Sequence, residues 1–256
     1  MSPLHGDRRR AESFGAAAER YDRSRPSYPA ELLDTIVDRP GLTVLDVGCG
    51  TGIASRQMAA RGARVLGVEV DARMAEQARS QGTEVEVGRI EDWEPYDRSF
   101  DRVTAAQAWH WVDPVQGAVK AARVLRPGGR LCLFWNIGEP PEEVGAAFGE
   151  VYKRLAPGAD GYSVILGYAV DEAYEDEQAG IRACADLGDP VVTRFPWSRT
   201  YTREEWLDQL PTHSDHAAME PELLEQVLDE VGAVIDGFGG SFVMTYSTLL
   251  ITADRR

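Results

Sequence analysis

The chain has 256 residues, 43% of them hydrophobic and 27% charged, which is the composition of a globular protein with a sizeable core. Its net charge of −15 argues against a nucleic-acid partner and against an anionic membrane surface. Three scattered cysteines favour a reduced, cytoplasmic location, and no apolar run is long enough to suggest a membrane span.

The first 40 residues carry aromatic and basic side chains ahead of any predicted strand. They include Phe14, Tyr21 and the run Arg25-Pro26-Ser27-Tyr28-Pro29. Because this segment precedes the first strand, it has no place inside a sheet. We expect residues 1–40 to form either a cap over a ligand site or an amphipathic helix that packs on the domain.

Residues 41–136 alternate between strand and helix patterns. Strands are predicted at 42–47, 64–70, 84–87, 100–106 and 130–136, and helices at 53–61, 72–80 and 114–125. The strands are almost continuously apolar, which is typical of a parallel sheet that is covered by helices on both faces. The sequence therefore predicts an α/β fold.

The first predicted strand runs directly into a glycine-rich loop, in the sequence Val44-Leu45-Asp46-Val47-Gly48-Cys49-Gly50-Thr51-Gly52. Glycine lets the backbone adopt a tight turn and approach a ligand closely. The following helix directs its N-terminal N–H groups toward that ligand. The spacing is Gly-x-Gly-x-Gly, so it lacks the third glycine of the dinucleotide pattern.

The second strand ends in Glu69, 21 residues after Gly48. An acid at about this distance is placed to accept hydrogen bonds from the hydroxyls of a ribose. Asp71 is interpreted instead as the N-cap of the helix that follows.

The fourth strand leads into the unusual string Ala106-Gln107-Ala108-Trp109-His110-Trp111. Ligands of such sheets bind beyond the carboxyl ends of the strands, so Gln107 and His110 are expected near a substrate. His110 can take a proton from a nucleophile or bind a carboxylate. The alternative is a buried histidine bonded to backbone, with both tryptophans in the core.

Residues 137–256 are predicted to add two strands, at 191–200 and 241–252. Helices are predicted at 142–155, 172–187, 202–210 and 221–236, and Thr202 and Glu205 form a capping-box pattern. His213 and His216 can face the same way on a helix, but no third ligand accompanies them, so no metal site is predicted.

Taken together, these segments resemble the class I S-adenosylmethionine-dependent methyltransferases. The sequence VLDVGCGTG is similar to motif I of that family, and Gly67-Val68-Glu69-Val70-Asp71 fits its second motif. The Gln107–Trp111 string and the cap pattern are similar to the trans-aconitate-methyltransferase-like, or type 11, branch. The resemblance implies a Rossmann-like seven-stranded sheet whose last strand is antiparallel.

The same resemblance implies roles for individual residues. The loop residues Gly48, Cys49, Gly50 and Gly52 would cradle the methionine part of the cofactor, and Asp46 would orient its ammonium group. Glu69 would bind the ribose. The adenine would contact the acid Glu91, or else Asp92, with Val70 and Ile90 as apolar walls. Gln107, Arg25 and Tyr21 would lie where cofactor and acceptor meet, and Tyr21 and His110 are the candidate catalytic residues.

We therefore expect a methyltransferase that uses S-adenosyl-L-methionine, releases S-adenosyl-L-homocysteine, needs no metal and acts on an O, N or C atom of a small molecule. The expected division is a cap at 1–40, a cofactor-binding core at 41–136 and a C-terminal part at 137–256 with substrate-cap helices. Two alternatives stay open, a nicotinamide-dependent oxidoreductase and a non-catalytic cofactor-binding protein.

Overall fold

The computed structural model describes residues 14–157 and 174–256. Three features considered above lie outside the described part: residues 1–13 of the expected cap, the side chain of Phe14, and positions 172–173 at the start of a predicted helix.

Within these described residues, seven strands form one sheet in the order β3-β2-β1-β4-β5-β7-β6. The strands are β1 Thr43–Val47, β2 Arg64–Glu69, β3 Glu84–Val87, β4 Phe100–Ala106, β5 Leu125–Glu139, β6 Val191–Thr202 and β7 Ser241–Asp254. The neighbours from β3 to β5 are parallel, and β7 runs antiparallel to both β5 and β6. This arrangement confirms the predicted α/β class and the antiparallel last strand.

Helices connect the strands and cover the sheet. They are α1 Ala18–Ser24, α2 Ala30–Ile36, α3 Ile53–Ala59, α4 Ala72–Ser80, α5 Pro114–Val124, α6 Glu142–Leu155, α7 Glu175–Ala183, α8 Arg203–Gln209, α9 Ser214–Ala217 and α10 Pro221–Gly237. Short 3₁₀ turns lie at Phe14–Ala17, Trp109–Trp111 and Leu210–Thr212.

Side-chain caps fix where several helices begin. The carboxylate of Asp71 accepts from the backbone N–H of Arg73, so the predicted N-cap of α4 is confirmed. The predicted capping box of Thr202 and Glu205 is also present at the start of α8.

The start of β5 differs from the prediction. We predicted a strand that begins at residue 130, after a helix stopped by a Pro-Gly-Gly segment, and this boundary was wrong. Leu125 already pairs with Phe100, and the next pair joins Arg102 to Arg130. The residues between them form an irregularity inside the strand, where Gly128 takes a φ of +74°.

The core is divided by the sheet and by the C-terminal helices. One apolar cluster includes Leu45, Val103 and Trp109, and a second, which takes the alternate residues of β1 and β5, includes Leu33, Met58 and Phe134. A third cluster joins α6, α8 and α10 to the start of β7 through residues such as Phe148 and Trp206. The carboxyl ends of β1, β4 and β5 are left to form a cleft.

None of the helices among residues 14–157 and 174–256 combines the length and apolar character needed to cross a membrane.

Candidate functional site

A cleft of about 460 Å³, its open mouth included, lies where β1, β4 and β5 end. It is lined by Tyr21, Arg25, Pro26, Tyr28, Gly48, Cys49, Gly50, Thr51, Ile53, Ala54, Ala106, Gln107 and Asn136. The cleft therefore brings together the N-terminal cap, the glycine-rich loop and the ends of two neighbouring strands.

The glycine-rich loop has the backbone conformation that its sequence requires. Gly48, Gly50 and Gly52 have φ angles of +62°, +56° and +85°. A Cβ on Gly48 would lie 2.5 Å from the Cβ of Ala108, so a larger residue does not fit there. The loop is therefore drawn tightly against the segment that follows β4, which sets the floor of the cleft.

Glu69 ties this loop to the end of β2. Its two carboxylate oxygens accept from the backbone N–H groups of Gly50 at 2.8 Å and Asp71 at 3.0 Å. Burial raises the pKa of Glu69, against the opposing effect of these hydrogen bonds. The acid lies directly behind a loop residue that lines the cleft, and its predicted contact with a ribose stays a prediction.

Asp46 lies beneath the loop rather than on the cleft wall. Its carboxylate is fully buried and accepts from the hydroxyls of Ser55 at 2.5 Å and Thr104 at 2.8 Å. Burial raises the pKa of Asp46 to about 6. In this structure the side chain links β1, α3 and β4, and it does not reach the cleft where the resemblance placed the ammonium group of the cofactor.

Gln107 and Asn136 form the strand-end side of the cleft. Gln107 takes a φ of +58°, a conformation that costs energy for a residue with a side chain. Its side-chain amide donates to the backbone oxygen of Asn136 at 3.1 Å, and Asn136 donates to the backbone oxygen of Ser27 at 3.2 Å. These contacts hold a strained residue at the carboxyl end of β4, beside the cap.

His110 lies next to the cleft without being among its lining residues. Its Nδ1 accepts from the indole N–H of Trp135 at 3.3 Å, and its ring lies 4.8 Å from that of Trp111. In the neutral imidazole an accepting Nδ1 leaves the proton on Nε2. His110 therefore presents a donor rather than a base while the Trp135 bond is made. The alternative interpretation expected a buried histidine and both tryptophans in the core; Trp109 is buried, whereas His110 and Trp111 are half-buried.

The residues proposed for the adenine lie away from the described cleft. The carboxylate of Glu91 accepts from Arg89 at 3.0 Å and from the backbone N–H of Asp113 at 3.2 Å. Ile90 is 2% exposed and packs in the core with its side chain turned away from solvent, while Val70 is partly exposed. The structure thus gives Glu91 and Ile90 structural contacts, and their predicted contacts with adenine stay predictions.

The N-terminal segment lies over the glycine-rich loop, where the cap was expected. The backbone of Tyr28 exchanges two hydrogen bonds with the side chain of Gln57, and its ring packs edge-on against Phe134. Asp22 forms an ion pair with Arg56 at 2.7 Å. These contacts attach the cap to α3 and β5, so Tyr21 and Arg25 face the loop.

The cap is also attached to the C-terminal helices. Asp208 on α8 accepts from both Arg20 and Arg23, at 2.9 Å and 2.7 Å. Arg25 donates to the backbone oxygen of Thr212 at 2.9 Å, and its guanidinium lies 4.9 Å from the centre of the Tyr21 ring. Arg25 thus joins the cleft to the segment after α8.

The lining residues fit the amino-acid end of an S-adenosylmethionine molecule. Thr51 has a buried hydroxyl without a hydrogen-bond partner among the described residues, and Arg25 likewise has a buried, unpaired Nε–H. Buried polar groups are rarely left unpaired in proteins unless water or a ligand pairs with them. A guanidinium and a hydroxyl beside a glycine-rich loop suit a carboxylate and an ammonium group.

Sequence reasoning missed several residues of the cleft. Thr51 and Asn136 line it, and Thr212 positions Arg25. Asn136 follows a predicted strand, so the rule that ligands bind at carboxyl ends of strands would have found it. Nothing in the local sequence marks Thr212, because its contact depends on the packing of distant segments.

The fold is that of the class I methyltransferases, and comparison with known proteins gives the same class. Residues 45–133 match a family model described as a methyltransferase domain. An uncharacterised methyltransferase of Mycobacterium tuberculosis is 44% identical over 126 residues, which cover 48% of this chain and 52% of the relative. The chain thus spans about half the length of the mycobacterial relatives it matches.

A ubiquinone biosynthesis O-methyltransferase of Xanthomonas oryzae is 33% identical over 164 residues, covering 57% of this chain and 69% of that protein. A solved structure described as a candidate type II methyltransferase from Anaeromyxobacter dehalogenans superposes with a TM-score of 0.62 at 23% identity, covering 89% and 97% of the two chains. The chain belongs to the class I S-adenosylmethionine-dependent methyltransferase family.

One further solved structure was determined with a cofactor product. The phosphoethanolamine N-methyltransferase 2 of Haemonchus contortus, solved with phosphomonomethylethanolamine and S-adenosylhomocysteine, superposes with a TM-score of 0.53 at 16% identity. It covers 94% of this chain and 57% of the other. At this identity the likeness shows a shared fold.

Proposed function

We propose that this protein transfers the methyl group of S-adenosyl-L-methionine to an O, N or C atom of a small-molecule acceptor. The observation that carries the proposal is the cleft itself. Its lining combines the glycine-rich loop, in which Thr51 has a buried, unpaired hydroxyl, with Arg25 of the cap, which has a buried, unpaired Nε–H. The assignment to the trans-aconitate-methyltransferase-like branch remains part of this proposal and rests on the cap and Gln107–Trp111 patterns.

When bound, the cofactor would supply a methyl group on a sulfonium: an acceptor atom would bond to the methyl carbon in line with the sulfur, the carbon–sulfur bond would break, and S-adenosylhomocysteine would leave. The protein itself then has to bind the cofactor and the acceptor, orient them toward each other and shield them from water. The glycine-rich loop, held by Glu69, binds the cofactor, and Arg25 pairs with its carboxylate. Gln107 and Asn136 face the acceptor, while Tyr21 helps to exclude water. Such alignment is worth roughly 7–11 kcal/mol in well-oriented reactions, so a strong base is not required.

Two assays of the purified chain test this proposal. Mass spectrometry of the protein is expected to detect a co-purified or added S-adenosyl nucleoside. A screen of small acids, phenols and amines is then expected to find an acceptor that drives release of S-adenosylhomocysteine. Release that is absent for every acceptor, together with binding of NADH, would point instead to the oxidoreductase alternative.

A matched pair of glycine variants distinguishes a loss of binding in the cleft from a general effect on folding. Gly50→Val adds a side chain in the loop that lines the cleft, and Gly82→Val places the same residue where nothing lies within 4 Å. Both glycines have positive φ angles, +56° and +87°, so both variants carry similar backbone strain. Only Gly50→Val is expected to lose cofactor binding.

A further inference from the structure

A group of polar side chains is buried beyond Arg25, on the side away from the glycine-rich loop. We call Ser24, Arg25, Gln209, His213 and His216 the inner polar cluster. Ser24, Gln209 and His216 are only 5%, 2% and 2% exposed. Two chain segments, one in the cap and one in the C-terminal part, therefore meet through polar rather than apolar side chains.

Four atoms of this cluster are buried without a hydrogen-bond partner among the described residues. They are the hydroxyl of Ser24, Nε of Arg25, Oε1 of Gln209 and Nδ1 of His216. Leaving such an atom unpaired is unfavourable. Four such atoms in one small group of residues leave hydrogen bonds that a polar molecule could complete.

The cluster and the cleft share one guanidinium. Arg25 lines the cleft, and its Nη2 donates to the backbone oxygen of Thr212, between Gln209 and His216. Gln209 in turn contacts the ring of His213 at 3.4 Å, and the rings of His213 and His216 lie 6.0 Å apart. Arg25 therefore belongs both to the wall of the cleft and to the inner polar cluster.

The charge of the cluster favours an anion. Among residues 14–157 and 174–256, no carboxylate forms an ion pair with Arg25, although the neighbouring Arg20 and Arg23 both pair with Asp208. Burial, together with the nearby Arg25, lowers the pKa of His216 to about 4 and that of His213 well below its usual value. At neutral pH the histidines are uncharged, and the cluster carries the single positive charge of Arg25.

The unpaired atoms can present donors to such an anion. Arg25 and Ser24 donate directly, and His216 donates from Nδ1 when its Nε2, 2.6 Å from the hydroxyl of Tyr152, accepts. A half-turn of the Gln209 amide offers its NH₂ group as well and leaves its oxygen toward His213. Hydrogen bonds from such donors to an ionised oxygen are about twice as strong as neutral ones.

We propose that the inner polar cluster binds an oxyanion of the acceptor, a carboxylate or a phosphate, that is separate from the atom receiving the methyl group. The proposal rests on the methyl-transfer function above, and it narrows the acceptor to molecules with two ends. One end, the nucleophile, lies in the cleft beside Gln107. The other end, the oxyanion, is recognised beyond Arg25 by residues of the C-terminal part.

Histidine NMR of the full chain tests the proposal without a known acceptor. The sequence has four histidines, so ¹⁵N-histidine labelling gives few resonances to assign. Inorganic phosphate and malonate are titrated separately into the S-adenosylhomocysteine-loaded protein, against sodium chloride at equal ionic strength. We expect a saturable shift of the His213 and His216 signals with at least one of the two anions. The anion that binds more tightly shows whether the inner polar cluster prefers a phosphate or a carboxylate.

Variants locate the binding site. Arg25→Gln and Gln209→Leu are each expected to weaken the anion response about tenfold or more, as for the loss of a hydrogen bond to a charged group. Because Arg25 is also proposed to pair with the cofactor carboxylate, Arg25→Gln is titrated at an S-adenosylhomocysteine concentration that saturates the variant. Arg39→Gln removes the same charge from an exposed residue that pairs with its neighbour Asp38, and it is expected to keep the response. Gln209→Leu is also expected to keep the affinity for S-adenosylhomocysteine, which distinguishes the cluster from the cofactor site.

The outcomes separate the two proposals. If S-adenosylhomocysteine binds but neither anion shifts the two histidines more than chloride does, the inner polar cluster is filled by water and the oxyanion site is wrong. An equal response in wild type and in both cluster variants would also overturn it. A saturable anion response in protein that does not bind S-adenosylhomocysteine would support the oxyanion site and contradict the proposed function.

Discussion

Two buried carboxylates lie beneath the cleft, and different kinds of donor hold them. Asp46 accepts from the side-chain hydroxyls of Ser55 and Thr104, whereas Glu69 accepts from two backbone N–H groups, one of them in the glycine-rich loop. A change at Asp46 is therefore expected to affect chiefly the stability of the fold. A change at Glu69 is expected to disturb the loop and the ligand that it binds.

The raised pKa of Asp46 predicts how stability depends on pH. The pKa rises from 3.8 to about 6 on folding because burial disfavours the charged carboxylate. The contribution of Asp46 is thus fully present below the unfolded pKa and is lost as pH rises through about 6. At 1.36 kcal/mol per pKa unit the loss is about 3 kcal/mol.

Asp46→Asn removes this titration while keeping an oxygen that can accept a hydrogen bond. We expect the free energy of unfolding of the variant, relative to wild type, to increase by about 3 kcal/mol between pH about 4 and pH about 7. Urea unfolding at several pH values measures it, with the exposed Asp186→Asn as control. A difference that does not vary with pH would contradict the assignment.

Glu69→Ala is expected to weaken S-adenosylhomocysteine binding by about 1.5–3 kcal/mol, the range for hydrogen bonds to charged groups. The variant loses the predicted ribose contact and leaves the Gly50 N–H unpaired. Calorimetry measures the affinity, and a thermal scan shows how far the fold is preserved. Glu84→Ala, an exposed acid on the adjacent strand β3, is the control. Unchanged affinity in Glu69→Ala would remove the ribose assignment.

The variant His110→Ala tests whether His110 acts as a general base or only binds the acceptor. Because Nδ1 accepts from Trp135, we expect His110 to donate to the acceptor, so the variant should raise KM with little change in kcat. Steady-state kinetics with an acceptor from the screen measures both constants. A fall in kcat of about 10²–10⁴-fold with little change in KM would instead show general-base catalysis.

At the scale of elements, the attachment of α1 to α8 depends on ion pairs that are partly exposed to solvent. Arg20 and Arg23 hold Asp208, and their side chains are 41% and 59% exposed. Such exposed pairs are worth little to global stability. Their structural effect is to keep the cap, and with it Arg25, over the cleft.

Asp208→Asn is expected to lower the free energy of unfolding by about 1 kcal/mol or less. Amide hydrogen exchange in residues 18–25 should nevertheless become faster, because the helix has lost its contact with α8. Asp229→Asn on α10 is the control, since Asp229 is exposed. Equal exchange in the two variants would show that other contacts hold the cap.

Elements that are specified by residues close together in the sequence were predicted better than those that depend on distant contacts. The strands of the parallel core and the capped starts of α4 and α8 follow from apolar runs and from Asp71 and Thr202. The early start of β5 does not, because the pairing of Leu125 with Phe100 is a contact between segments distant in sequence. The inner polar cluster was missed for the same reason, since it joins residues of the cap to residues near position 212.

At the scale of the whole molecule, the cofactor is expected to stabilise the protein by binding only the folded form. At a concentration of ligand 100 times the Kd, this linkage stabilises the folded protein by about 2.7 kcal/mol.

Among residues 14–157 and 174–256 no cluster of His, Cys, Asp or Glu is placed to hold a metal ion.

We propose that turnover needs no divalent metal, because the displacement at a sulfonium needs no Lewis acid. Activity of the purified protein is expected to be the same with and without a chelator. An activity that the chelator abolishes and that magnesium or zinc restores would contradict this proposal.

Isothermal titration of the full chain with S-adenosylhomocysteine tests the central claim most directly, since it needs no acceptor. We predict saturable binding of one molecule per chain, lost in Gly50→Val and retained in Gly82→Val. Failure of wild-type protein to bind S-adenosylhomocysteine or S-adenosylmethionine, or equal binding by Gly50→Val, would contradict the assignment of this cleft as the cofactor site.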